Sequence, residues 1–177
     1  IVSDPHAGLN MSSMSMLEGM DTPTFMNTMY SWVAPKGWKQ SPGQGMRLAS
    51  FHLRADQEAI DCSVISLAGM AGGLEANLRR WMGQIGIISS DSALTGLIEA
   101  ASSIKIKGGQ EGKVFDFTTI QSQAKASDKS MIVVMLSMNE ATLFVKMTGV
   151  VETLKKNKQD FFKLVQSIEP KDASNNP

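Results

Sequence analysis

Residues 131–136 read Met-Ile-Val-Val-Met-Leu, apolar at every position. Six residues are far too few to cross a bilayer as a helix. As a strand they send alternate side chains to opposite faces of a sheet, so both faces need apolar cover. The run therefore predicts a central strand and two covering layers, and the rest of the chain must supply them.

Two amphipathic helices are well placed to do so. Leu74, Leu78, Trp81, Met82 and Ile85 recur at helical spacing and form one apolar stripe, closed by Gly86. Val151, Leu154, Phe161, Val165 and Ile168 form a second stripe over residues 151–168, with Lys155, Lys156 and Lys163 turned outward. Ser90 or Asp91 can cap a shorter helix ending near Ala101.

Strands are predicted over residues 29–33, 46–54, 61–68, 103–107, 113–120, 131–138 and 142–148. Residues 46–54 and 61–68 both alternate, and the short connection between them implies an antiparallel hairpin. Pro35-Lys36-Gly37, Gly108-Gly109 and Asn139-Glu140 mark turns. The order is βββ, α, short α, ββββ, α. It defines an α+β chain, an α/β/α sandwich around a mainly antiparallel sheet of about six or seven strands.

Three regions are expected. Residues 1–27 read as a flexible Met-rich leader, with Met11, Met14, Met16, Met20 and Met26 among serines and no sustained period. Residues 28–170 form the single domain, and 171–177 a disordered tail. The chain opens on Ile1, as a sequence that had lost a secretory signal or a lipid-bearing segment would.

Charge and cysteine content narrow the function. Seventeen basic and seventeen acidic side chains cancel, and no cationic stripe suits a nucleic-acid backbone. The single cysteine, Cys62, excludes an intrachain disulfide and a cysteine zinc cage. No apolar run is long enough for a transmembrane helix.

The strongest candidate cluster is Asn77, Arg80, Trp81 and Gln84. Spacings of three and four place them along one helical flank, where an aromatic platform, two amides and a guanidinium can hold a ligand. The competing reading makes Trp81 core and the polar groups ties to neighbouring loops. Gly69, Gly72 and Gly73 before the first helix lack dinucleotide-loop spacing and read as a turn. Residues 109–113 lack a phosphate loop's spacer and lead into a strand. His52 and Cys62 share parity on adjacent strands, which permits a thiol–base pair, although an inert core cysteine is the commoner case. Met11, Met14, Met16 and Met20, with His6, are soft donors suited to Cu(I), against the plainer reading of a linker. The lysines of the last helix read as a solvated face.

Four segments carry a resemblance. They are Trp32-Val33-Ala34-Pro35-Lys36-Gly37-Trp38, Met46-Arg47-Leu48-Ala49-Ser50-Phe51, the stretch from Gly72 to Gly86, and Phe144-Val145-Lys146-Met147-Thr148-Gly149. Together they resemble a family of bacterial envelope proteins, often lipoproteins, with the motifs W-x-x-P-x-G-W, MR-x-A-x-F, GG-x-x-AN-x-x-RW-x-x-Q-x-G and F-x-K-x-TG. The element order is similar to the PsbP fold, shared by the extrinsic photosystem II protein, DcrB-like lipoproteins and a Ran-binding nuclear import factor. The resemblance implies a PsbP-like fold and a non-enzymatic accessory role, with no catalytic residues to carry over.

The expectation is an exported binding or accessory domain of the periplasm or cell envelope, monomeric, without cofactor, metal or catalytic residues, serving an unknown protein or small-molecule partner. A lipid tether upstream suits it. Two alternatives stand beside it, a copper-handling protein using the Met-rich leader and a small thiol enzyme built on Cys62 and His52.

Overall fold

A computed structural model describes residues 29–54, 59–69, 72–120, 125 and 128–171. The elements run β1 (Tyr30–Ser31), β2 (Trp38–Pro42), β3 (Arg47–Arg54), β4 (Ala59–Ala68), α1 (Leu74–Gln84), α2 (Asp91–Glu99), β5 (Ser102–Lys105), β6 (Glu111–Asp116), β7 (Lys129–Ser137), β8 (Ala141–Val150), α3 (Val151–Gln166) and β9 (Glu169–Pro170). Seven strands form one sheet in the order β2-β3-β4-β8-β7-β6-β5, antiparallel at every pairing.

The all-apolar run lies in β7, between β8 and β6, and is covered on both faces. Ile132, Val134 and Leu136 join one core with Leu154, Phe161, Leu164 and Val165 of α3. Met131 and Val133 join another with Leu78, Trp81 and Met82 of α1 and Leu94 and Leu97 of α2. The architecture is the expected α+β sandwich of helix, antiparallel sheet and helices. Each large apolar side chain buried in it contributes on the order of 2 kcal/mol.

Helix ends follow local chemistry. Ser90 caps α2, its side chain accepting from the Ala93 backbone N–H at 3.2 Å. Gly73 precedes α1 with φ 92°, a backbone that side chains with a Cβ rarely adopt. All five expected stripe residues of α3 are buried, and Leu164 joins them. Lys158 of α3 donates to Asp116 of β6 at 2.7 Å, which fixes the helix laterally.

Three elements differ from expectation. β2 was not foreseen, because Trp-Lys-Gln-Ser-Pro has little strand alternation; as an edge strand it tolerates its proline. The strand expected at 29–33 shrinks to Tyr30–Ser31, which pairs with β9 outside the main sheet. The strand expected at 113–120 stops at Asp116, whose carboxylate accepts from the Thr118 N–H at 3.0 Å and turns the chain into a 3-10 helix, Phe117–Thr119. The predicted leader, 1–27, and the tail beyond Lys171 lie outside the described residues.

Candidate functional site

The two faces of the sheet are not equivalent. On the α3 side, β3, β4 and β8 contribute Ala49, Phe51, Ile60, Cys62, Val64, Leu143, Val145 and Met147 to one apolar core. On the α1 side the alternate positions of the same strands include Ser50, His52, Asp61, Ser63, Lys146 and Thr148. The register places Ser50, Ser63 and Lys146 in one row across three strands, and His52, Asp61 and Thr148 in the next. A β-bulge beside Leu48 interrupts the pairing of β3, and Arg47 reaches along this face to Ser50 at 3.3 Å and Asp61 at 3.8 Å.

A pocket of ≈ 270 Å³ opens there, lined by Asp61, Gln84, Ile85, Lys129, Met131, Lys146 and Thr148. Lys146 is its central charge. The ammonium donates to Gln84 Oε1 at 3.4 Å, and among the described residues no carboxylate comes within ion-pair distance of it. Partial burial lowers its pKa, and the charges of Arg47, Arg80 and Lys129 lower it further, with Asp61 alone opposing. The Ser63 hydroxyl beside it in the register is buried and has no hydrogen-bond partner among the described residues.

The four residues expected on the α1 flank divide into two pairs. Asn77, 2 % exposed, donates to the Gly73 carbonyl at 2.7 Å and accepts from Arg80 Nη2 at 2.7 Å. Trp81, 3 % exposed, packs edge-on against Phe144 with centroids 5.3 Å apart, and the Arg80 guanidinium stands 5.9 Å from its ring. These two are core and brace. Arg80 and Gln84 are exposed, and of the two Gln84 lines the cleft. The aromatic platform expected of Trp81 is therefore not presented to a ligand. Its ring is committed to the sheet.

Lys146, Asp61, Thr148 and Lys129, which line this candidate cleft, were not singled out in the sequence. The signal was a lysine between buried Val145 and Met147, where an interior strand facing apolar layers has no reason to carry one. Two segments noted for their resemblance meet at this cleft, through Gln84 and through Lys146.

The pairing proposed for Cys62 and His52 is corrected by the register. Cys62 stands opposite Phe51 and points into the α3-side core, whereas His52 stands opposite Asp61 on the other face, with Nδ1 3.9 Å from that carboxylate. Equal parity along two strands fixes a shared face only once the register is known. Burial pushes the Cys62 thiol far above its usual range, and Asp61 adds to the shift, so a thiolate is disfavoured.

Gly69, Gly72 and Gly73 all have positive φ, and the Gly69 carbonyl accepts from Thr142 Oγ1 at 2.7 Å, as a turn requires. On α3, Lys156 and Lys163 pair with Glu152 at 2.8 Å and Asp160 at 3.6 Å on the exposed face. His6 and the leader methionines lie outside the described residues. A second pocket, of ≈ 380 Å³, includes Tyr30, Gln110, Met138 and Glu140. Met29 and Lys171 in its wall adjoin residues that are not described, so its boundary is open.

No family model matches the sequence, and no curated protein does. Among solved structures the chain is similar in fold to the cyanobacterial PsbP protein of Synechocystis, at 14% identity and TM-score 0.48, over 80% of this chain and 86% of that one. It is also similar to LpqN, described as involved in cell envelope biogenesis of Mycobacterium tuberculosis, at 10% identity and TM-score 0.42, over 81% and 83%. A protein of Bacteroides thetaiotaomicron matches at 11% identity and TM-score 0.44; the match takes in 84% of this chain but only 47% of that one. No residue role is transferred from these likenesses of shape.

Proposed function

We propose that this chain is a non-enzymatic binding or accessory domain of the bacterial cell envelope, exported and held near a membrane from its N-terminal side, with the α1–β4–β8 cleft as its binding site. The observation that carries the reading is Lys146. A half-buried ammonium in the middle of a sheet, served by one long amide contact, is a poor structural choice and a good ligand contact. Around it in the pocket stand the Gln84 amide and the Thr148 hydroxyl, groups that hold and orient a partner. Gln84 is presented from a helix whose Trp81 is packed on the sheet, rather than from a loop.

The test is a thermal-shift screen of small anionic, neutral and cationic compounds on the full chain and on Thr148→Phe, which fills the pocket. A binding cleft gives stabilisation by at least one charge class in the wild type, and that stabilisation is lost in the filled variant. A shift with none of them, or one that filling leaves unchanged, rejects the cleft. Osmotic-shock and membrane fractionation of cells making the natural protein tests the envelope assignment, and recovery in the cytosol rejects it.

A further inference from the structure

The Lys146 nitrogen has one hydrogen bond among the described residues, to Gln84 Oε1 at the long distance of 3.4 Å, and no carboxylate within ion-pair distance. Asp61, the carboxylate in the same wall, leans instead toward Arg47 at 3.8 Å and His52 at 3.9 Å. The Ser63 hydroxyl, opposite Lys146 in the register, is buried and has no partner either. An ammonium held so loosely gives up its proton more readily than an exposed lysine does. Burial is the largest cause, with the charges of Arg47, Arg80 and Lys129 secondary to it and Asp61 opposing. Lys146 lines a cavity of ≈ 270 Å³ together with Gln84, Ile85, Met131 and Thr148. An amine that is partly desolvated, committed to no acid and set in the wall of a small cavity has the surroundings of a lysine nucleophile.

Resting on the cleft reading above, we propose that the cleft captures a small carbonyl compound, an aldehyde or a ketone, as a reversible imine with Lys146. The neutral amine adds to the carbonyl carbon. A C–N bond forms, and the π pair of the C=O bond passes to oxygen, which takes up a proton while nitrogen gives one to water. The resulting amino alcohol loses its oxygen as water as the nitrogen lone pair closes the C=N bond. Overall, the lysine ammonium and the carbonyl compound give an iminium and one water, so charge is conserved and no oxidant or reductant is consumed. The Gln84 amide and the Thr148 hydroxyl are the neutral groups in the cavity that can hydrogen-bond the departing oxygen. Ile85 and Met131 offer an apolar wall to the carbon chain. Such capture is binding without turnover, in keeping with a non-enzymatic domain.

The experiment incubates the full chain with propanal or with acetone, in the presence of cyanoborohydride at neutral pH, and follows each lysine by the mass of its peptide. Lys146 is expected to be alkylated about fivefold faster or more than the exposed Lys39 and Lys155, with a rate that saturates in carbonyl concentration. Thr148→Phe, its fold checked by circular dichroism, fills the cavity, abolishes that excess and leaves Lys39 and Lys155 unchanged. Urea unfolding of the wild type brings all three lysines to one rate, a control that needs no variant to fold. Alkylation of Lys146 no faster than that of Lys39 and Lys155 overturns the proposal, as does an excess that survives either the filled cavity or unfolding. If the thermal-shift screen finds a ligand that Thr148→Phe loses while Lys146 stays as slow as the exposed lysines, the cleft stands and carbonyl capture falls.

Discussion

Replacing Lys146 with methionine is expected to stabilise the protein. Lys146 lies between Val145 and Met147 in β8, beside buried Ser63 of β4 and Val133 of β7. Its aliphatic stem packs, and its charge carries no ion pair among the described residues. Among the described residues the charges acting on it are Arg47 on β3, Asp61 on β4, Arg80 on α1 and Lys129 on β7, repulsive on balance, and Gln84 of α1 accepts its hydrogen bond. Methionine keeps the stem and removes the charge. Exchanging fully buried ion pairs for apolar isosteres gains roughly 1–4 kcal/mol, and the partial exposure of Lys146 brings the gain below that range, to about 0.5–1 kcal/mol. Urea unfolding with a common slope measures it.

The pH dependence provides an internal check on the cause. Burial, then Arg47 and Arg80, lower the folded-state pKa of Lys146 below the ordinary lysine value of 10.5. The unfolded chain therefore holds this proton more tightly than the folded one. The penalty is present in full below the folded pKa and is relieved as pH rises through it toward 10.5, because there the unfolded state binds more protons. The stability difference between Lys146→Met and wild type is thus constant around neutrality and shrinks in the alkaline range. A variant less stable than wild type by 0.5 kcal/mol or more (about half a typical mutational effect), or a difference that does not vary with alkaline pH, refutes the account.

Three further outcomes are expected. Asn77→Ala removes the donor to the Gly73 carbonyl and the acceptor of Arg80, and costs about 1–3 kcal/mol by chemical denaturation. A double-mutant cycle of Asp116→Asn with Lys158→Met gives a coupling of about 1 kcal/mol, above that of exposed pairs because Asp116 is only 10 % exposed; a coupling near zero removes the lateral tie of α3. Cys62 in the native protein reacts with a thiol reagent only as fast as the sheet opens, so labelling accelerates with urea, and rapid labelling in buffer contradicts its burial.

The fold was legible wherever periodicity was strong. Residues 131–136 declared a doubly covered strand, and the stripes of α1 and α3 named the helices that cover it. β2 was not legible, because pairing with β3 stabilises it rather than any pattern of its own. The end of β6 was lost for a related reason. Asp116 stops the strand by capping the backbone at Thr118, whereas Phe115 and Phe117 continue the apolar appearance beyond it. Of the four residues expected on the α1 flank, Gln84 lines the cleft; spacing carries no information about which side of a flank is buried, so Asn77 and Trp81, which are core, came with it and Arg80. The pairing of His52 with Cys62 failed because register, which depends on partners distant in sequence, decides the face.

That dependence also explains why the cleft forms where it does. β7 is apolar on both sides and draws α1 and α2 over its own half of the sheet, near β6 and β8. One helix, α3, suffices for the opposite face because β3, β4 and β8 all turn apolar residues toward it. On the α1 side the apolar demand ends at β8, where Phe144 holds Trp81, and the next positions along the same strand are Lys146 and Thr148. A strand that must pack one face fully and the other only in part leaves positions free of the packing constraint, and in β4 and β8 these are occupied by Asp61, Ser63, Lys146 and Thr148. Their polarity costs stability, most at the desolvated Lys146 and at the unpartnered Ser63 hydroxyl. It places a polar row beside α1, where Gln84 accepts from Lys146 at 3.4 Å, and that juxtaposition is what opens the cleft.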